Sequence, residues 1–304
     1  MSEAGGTAGI GGHRVIFSRI LRDLWHVIAV VCLATPAGCR SKPDVVRMAT
    51  TTSVENSGLL AEILPAFSRD THITVEVLAV GSGQALNLLK RGEVAVGLTH
   101  DPTAEAEALT SGAITGYQKI MFDDFVIVGP PGDPAGIARA SDAADAFTRI
   151  SASDATFVSR GDGSGTYARE QELWALAKRR PVPHRLIDVG QGMGGTLRIA
   201  SEKSAYTLSD RATFERFRLS LRLMSLYEGG PGLLNTYAVF VRPGLTGSAR
   251  ADASALTEWL ADGAGRQLIA GFVANRQTVF QVWPLGTPRG SPADLPAPSV
   301  AHVR

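Results

Sequence analysis

Cysteine is almost absent from this chain of 304 residues: there are two, Cys32 and Cys39, and both fall within the first 39 positions. The body that follows therefore cannot form a disulfide or a thiolate metal site. Its histidines, His72, His100, His184 and His302, are scattered and make no H-x-x-x-H pair, and no G-x-S-x-G elbow occurs. No cofactor is indicated either. G-D-G-S-G-T (161–166) lacks the lysine and the spacing of a phosphate-cradling P-loop, and G-Q-G-M-G-G (190–195) is a poor dinucleotide fingerprint. Nothing recommends covalent or metal chemistry, so the chain is expected not to be an enzyme. Excess charge is also lacking. The formal net charge is +1, and setting aside residues 1–39, with three arginines and two acids, brings it to zero. Without a basic footprint, nucleic acid is not an expected partner.

What is present is a globular composition, 44% hydrophobic and 19% charged, which excludes disorder of the chain as a whole. The start of the chain differs from the rest. Arg14, Arg19 and Arg22 precede an apolar run, 24–33, that gives way to small residues and Cys39. A positive region, a short apolar core and a small-residue zone describe an export signal over residues 1–39. The run is short for a membrane span, which takes about 20 residues. Cys39 sits in T-P-A-G-C, which resembles a bacterial lipobox with Pro36 where leucine is usual, so Cys39 is a candidate for lipid attachment. The expected location is the periplasm, or the outer face of the cell membrane if a lipid anchors the chain there.

From Val45 onward, short β-branched runs alternate with helical patterns. Strands are expected at 45–50, 73–80 and 94–98, with helices at 59–67 and 85–90 and a third around Glu105 and Glu107. This βαβα order implies a mainly parallel sheet covered by helices, with ligands beyond the carboxyl ends of the strands. A second series begins at 125–128, with helices at 142–150, 167–178 and 195–202 and strands at 156–158, 186–189, 206–208 and 221–226. A further apolar run at 237–241 precedes helices at 253–261 and 265–272. The proline-rich residues 285–304 show no periodic pattern and are expected to form a loose tail. No internal repeat is present.

The chemistry concentrates where strands hand over to helices. Residues 159–166, S-R-G-D-G-S-G-T, place an arginine, two serines, a threonine and three glycines in one such turn. The first N–H groups of a helix have no intrahelical partner and carry the positive end of the macrodipole, so the turn suits an oxyanion. T-T-T-S (50–53), G-S-G-Q (81–84) and G-Q-G-M-G-G-T (190–196) repeat the pattern. Any one of them alone reads as ordinary capping. Distributed over two α/β segments, they can converge on one cleft. His100-Asp101 and Asp123-Asp124 read as turn and chain-crossing residues.

These segments resemble the periplasmic tungstate-binding proteins, which deliver tungstate to an ABC importer. The matching stretches are A-T-T-T-S-V-E-N-S-G-L-L, V-G-S-G-Q-A-L, R-G-E-V-A-V-G-L-T-H-D-P, D-D-F-V-I-V-G-P, S-R-G-D-G-S-G-T and G-Q-G-M-G-G-T-L-R-I-A-S-E-K, in the family's order. The resemblance implies a type II periplasmic-binding-protein fold. Lobe one would take 45–123 and 239–284 and lobe two 124–238, with crossings at 124–128 and 237–241. It also implies that Thr50, Thr51, Thr52 and Ser53 as a group, with Arg160 and Thr166, hold the anion. The junctions themselves add Ser82, Gly83, Ser164 and Gly165 as ligand-binding candidates. The partners implied are tungstate, with molybdate or phosphate as alternative ligands, and a membrane permease; the protein is expected to be a monomer. Tungstate is fully deprotonated at neutral pH, so its site needs donors and no acceptor. Hydrogen phosphate gains from a carboxylate acceptor, a role open to Asp162, which can otherwise neutralise or orient Arg160.

Overall fold

The computed structural model describes residue 5 and residues 44–295. The expected export signal and Cys39, and residues 296–304 of the expected tail, lie outside the described residues.

The chain opens with β1 (Val45–Thr51), α1 (Thr52–Ser57), α2 (Leu59–Thr71), β2 (Thr74–Val80), α3 (Ser82–Lys90), β3 (Val96–Thr99) and α4 (Pro102–Thr110). β1 lies between β2 and β3 and runs parallel to both. The apolar spacing of α2 explains its seat: Leu59, Leu60, Ile63 and Phe67 fall on one stripe, and all four are buried.

A long strand, β4 (Thr115–Gly129), links this sheet to a second one. After it come α5 (Ala143–Ala152), β5 (Phe157–Ser159), α6 (Gly165–Ala177), β6 (Leu186–Asp188), α7 (Met193–Lys203), β7 (Thr207–Asp210), α8 (Arg211–Phe217) and β8 (Met224–Glu228). The chain then returns through β9 (Leu234–Val241) to α9 (Gly247–Ala261), α10 (Ala264–Gly271) and the short strands β10 (Val273–Ala274), β11 (Gln277–Thr278) and β12 (Gln281–Val282). Up to Asp124, β4 pairs with β9, and near Met121 and Phe122 also with β12; from Phe125 it pairs with β7 and β8. The outward crossing therefore falls between Asp124 and Phe125. β5 pairs with β6 and touches the second sheet through a bridge from Phe157 to Tyr206.

Each sheet is covered on both faces. Met48, Phe67, Val239 and Leu256 belong to the core on one face of the first sheet, Leu89, Ala238 and Phe240 to that on the other. The second sheet divides its core between Phe147, Phe157 and Trp174 on one face and Val158, Leu197 and Phe214 on the other.

Two expectations change. The run 237–241 is not a crossing, because β9 pairs with β4 from Leu234 onward and with β3 over 238–241. It is apolar because helices cover both faces of the sheet at that point, and the return crossing precedes Leu234. Residues 285–295 of the expected loose tail are tied to the first sheet. Trp283 N donates to Ile120 O (2.9 Å), Lys119 N to Arg289 O (2.8 Å), and Arg289 pairs with Asp262 (2.6 Å). The Lys119 ammonium donates to the carbonyls of Pro292 (2.7 Å) and Asp294 and lies 5.1 Å from the Trp283 ring centroid. Burial pushes Lys119 down to about 8. Proline removes the periodic pattern from such a segment, yet neighbouring strands can still pair its backbone groups.

Candidate functional site

The four Gly, Ser and Thr junctions meet. Thr51 caps α1, its hydroxyl accepting from Val54 N (3.3 Å), and Ser164 caps α6, accepting from Tyr167 N (3.1 Å). Gly81 precedes α3 and Gly192 precedes α7, both without a side-chain cap. Gly83 N donates across the two halves to Gly163 O (3.3 Å). A methyl group on Gly81 would stand 3.1 Å from Gly163 O, and one on Gly192 3.2 Å from Thr52 Oγ1. The glycines at these junctions are what allow such close backbone approach.

Arg160 joins the halves. It is 1% exposed, and its Nη1 donates to Ser53 Oγ (3.3 Å) and its Nη2 to Thr52 Oγ1 (3.2 Å). Its other edge donates to Asp162 Oδ2, from Nε at 3.2 Å and from Nη2 at 2.6 Å. Asp162 Oδ1 accepts from Ser164 N (3.2 Å), so both carboxylate oxygens are engaged within the loop. A guanidinium only donates. It therefore occupies lone pairs of Thr52 and Ser53 and leaves their hydroxyl protons for a further acceptor.

Two other candidates have side-chain oxygens with no hydrogen-bond partner: Ser82 Oγ and Thr166 Oγ1, in residues 0% and 1% exposed. Leaving a buried hydroxyl unpaired costs about 1–3 kcal/mol, which a ligand accepting from both would recover. Thr50 differs from its neighbours: its hydroxyl donates to Leu98 O (3.0 Å), pinning β1 to β3. That proton is committed to the fold.

Beneath these groups lies a buried network that includes His100 and Asp123, expected from sequence as turn and chain-crossing residues. Asn235 Nδ2 donates to Asp123 Oδ1 (2.6 Å) and Tyr237 Oη (2.8 Å), which leaves Asn235 Oδ1 to accept from His100 Nδ1 (2.9 Å). The His100 ring stacks on Tyr237, centroids 5.0 Å apart. Burial lowers the His100 pKa against the opposing pull of Asp210, so the ring is held neutral. Burial, with Asp210 adding to it, raises Asp123 well above the carboxylate range. Asp101 caps α4 by accepting from Ala104 N (3.1 Å), while a methyl group on Gly165 would overlap the carbonyl oxygen of His100. Their position after β3, at the carboxyl end of a parallel strand, was the available signal.

A cavity of ≈ 340 Å³ beside the junctions is lined by residues that include Thr52, Gln191, Gly192 and Arg198. A larger one, ≈ 830 Å³, opens at the crossings among Asp123, Asp124, Arg211 and Glu228. Arg211 is bridged there to Asp124 (3.5 Å) and Glu228 (3.0 Å), and this acidic lining suits an anion poorly despite its size. Donor chemistry places the candidate site at the junctions.

The sequence profile of the PBP superfamily domain matches residues 38–262. The tungstate-binding protein TupA of Peptoclostridium acidaminophilum is 38% identical over 226 residues, 73% of this chain and 79% of that protein. The crystal structure of the tungstate ABC transporter protein from Geobacter sulfurreducens is 37% identical and superposes with a TM-score of 0.67, covering 75% of this chain and 98% of that one. TupA from Desulfovibrio alaskensis is 35% identical with a TM-score of 0.65, covering 79% and 98%. The two sheets and two crossings are accordingly those of a periplasmic-binding-protein fold, and the chain belongs to the PBP superfamily and, within it, to the family of the TupA tungstate-binding proteins.

Proposed function

We propose that this protein is the extracytoplasmic substrate-binding component of an ABC importer that captures tungstate. Residues 45–124 with 234–295, and 125–233, are the approximate lobes that close on the anion. The observation that carries the reading is Arg160, donating from one half to Thr52 and Ser53 of the other, with the unpaired hydroxyls of Ser82 and Thr166 beside the same junctions. Thr51, Thr52, Ser53, Ser82, Ser164 and Thr166 supply hydroxyls, and the backbone at Gly83 and Gly165 supplies close approach. Every group offered is a donor, which matches a fully ionised oxyanion. With Asp162 already engaged by Arg160 and Ser164 N, the loop is a poor acceptor for the proton of hydrogen phosphate. The protein acts as a monomer, performs no catalysis, and hands its cargo to a membrane permease. It works in the periplasm or anchored at the outer face of the membrane through Cys39. Among the described residues no helix is long and apolar enough to cross a membrane.

Competitive titration of the purified protein with tungstate, molybdate, phosphate and sulfate tests this. Tungstate is expected to bind with Kd of about 1 μM or below and phosphate at least about 100-fold more weakly. Equal or tighter phosphate binding would overturn the ligand, and molybdate binding tighter than tungstate would reassign it.

A pair of isosteric variants separates ligand donors from scaffold. Thr166→Val removes an unpaired hydroxyl, so it is expected to weaken tungstate by about 1.5–3 kcal/mol and to leave the ligand-free melting temperature unchanged or raised. Thr50→Val removes the hydroxyl that donates to Leu98 O and is expected to lower stability by about 1–2 kcal/mol with a smaller effect on affinity. Calorimetry and thermal melts on both proteins give the comparison, and the reverse pattern would exchange the two roles.

A further inference from the structure

Glu170 lies on α6 behind the Arg160 loop, 3% exposed, and donors meet both its oxygens. Ser159 Oγ donates to Oε2 (2.9 Å), while Trp174 Nε1 (3.2 Å) and Gln171 Nε2 (3.3 Å) donate to Oε1. The backbone N–H of Arg160 is a further donor to the same carboxyl. Ser159 Oγ in turn accepts from Gly161 N (3.3 Å). The residues on either side of Arg160, and Arg160's own backbone, thus hang from one carboxyl group.

We propose that Glu170 is a positioning residue: it holds the Arg160 loop from behind, and the charge on its carboxyl tunes how strongly that loop captures a dianion. This rests on the reading of the site given above. The frame survives in both protonation states. A neutral Glu170 donates to Ser159 Oγ, which turns its own proton away and still accepts from Gly161 N. What changes is one negative charge close to the site of the ligand.

The groups facing Glu170 decide where that change falls. From β6 the charged neighbour is Asp188; from the loop it is Arg160, whose guanidinium is turned toward Asp162, Thr52 and Ser53. α6 contributes Gln171 and Trp174, and from α5 the Phe147 ring lies against Trp174 at 4.3 Å between centroids. Burial, with Asp188 adding to it, pushes Glu170 up to about 7. A dianion nearby favours the neutral form further. Binding near neutrality should therefore take up protons, and affinity should fall as pH rises through that range. His100, held below its ordinary range, is already neutral there.

The test is calorimetry of the full protein with sodium tungstate between about pH 6 and about pH 8.5, in buffers of differing ionisation enthalpy, on the wild type, Glu170→Gln and Glu170→Ala. The wild type is expected to lose about three- to tenfold in affinity across the range and to take up a fraction of a proton near neutrality. Glu170→Gln, whose amide can donate to Ser159 and accept from Trp174, should keep the acid-side affinity, show a flat profile and take up no proton. Glu170→Ala, which leaves the loop unsupported, should bind about tenfold more weakly at every pH. A wild-type slope and proton count that persist in Glu170→Gln would overturn the role of Glu170 alone. No tungstate heat from the wild type at any pH would remove the reading of the site, and this inference with it.

Discussion

Replacing Arg160 by alanine is expected to weaken tungstate binding by about 2–4 kcal/mol, roughly 30- to 1000-fold in Kd. The side chain is buried and spans three partners, Asp162, Thr52 and Ser53, so the truncation acts twice. It removes a fixed positive charge that the net charge does not replace, since residues 40–304 are formally neutral. It also releases the Asp162 carboxylate to face the anion, adding a repulsion that the wild type cancels. Arg160→Lys should recover only part of the loss, because an ammonium cannot reproduce the planar fork that meets Asp162 with one edge and the two hydroxyls with the other. Calorimetry on both variants reads the effect, and an unchanged Kd for Arg160→Ala would end the assignment. Ligand-free stability should move much less than affinity, because Ser53, Thr52 and Asp162 all regain water when the halves part.

The junctions were legible in the sequence because their chemistry is local. Gly, Ser and Thr between a β-branched run and a helical pattern mark a strand end, a cap and a helix N-terminus, and T-T-T-S, G-S-G-Q and S-R-G-D-G-S-G-T form such termini in the structure. The non-local features were hidden. The first half of β4 carries Gln118, Lys119, Asp123 and Asp124, which break the apolar signature of a buried strand. Three of these interruptions are satisfied from far away, Lys119 by carbonyls at 292 and 294, Asp123 by Asn235 and Ala212, and Asp124 by Arg211. Thr50 reads like Thr51 and Thr52, and only the β1 and β3 pairing shows that its proton is already spent on Leu98 O. Glu170 looks like any polar residue on a helix whose hydrophobic stripe is faint. It is buried where α6 packs on β5, through Ser159 on Glu170 and Phe157 on Trp174, which no local pattern states.

Gly165→Ala should separate affinity from stability in opposite directions. Gly165 is the first residue of α6 and has ordinary helical neighbours, so within its own half of the molecule alanine is the better helix former, by up to about 1 kcal/mol. Across the halves the picture reverses, because the added methyl group would overlap the backbone carbonyl of His100, with its ring nitrogen Nδ1 at 3.1 Å. His100 cannot move aside cheaply: its Nδ1 is hydrogen-bonded to Asn235 and its ring is stacked on Tyr237. Backbone overlap of this kind costs about 3 kcal/mol, and it is incurred only when the halves are in contact. The variant is therefore expected to melt at or above the wild-type temperature without ligand, yet to bind tungstate about 100-fold more weakly and to gain correspondingly less from it in a thermal shift. Gly163→Ala is the matched control, since nothing lies within 4 Å of a methyl group there, and it should change affinity by less than about 0.5 kcal/mol. If Gly165→Ala binds like the wild type while Gly163→Ala does not, the contact between α6 and His100 is not part of the closed, anion-holding arrangement.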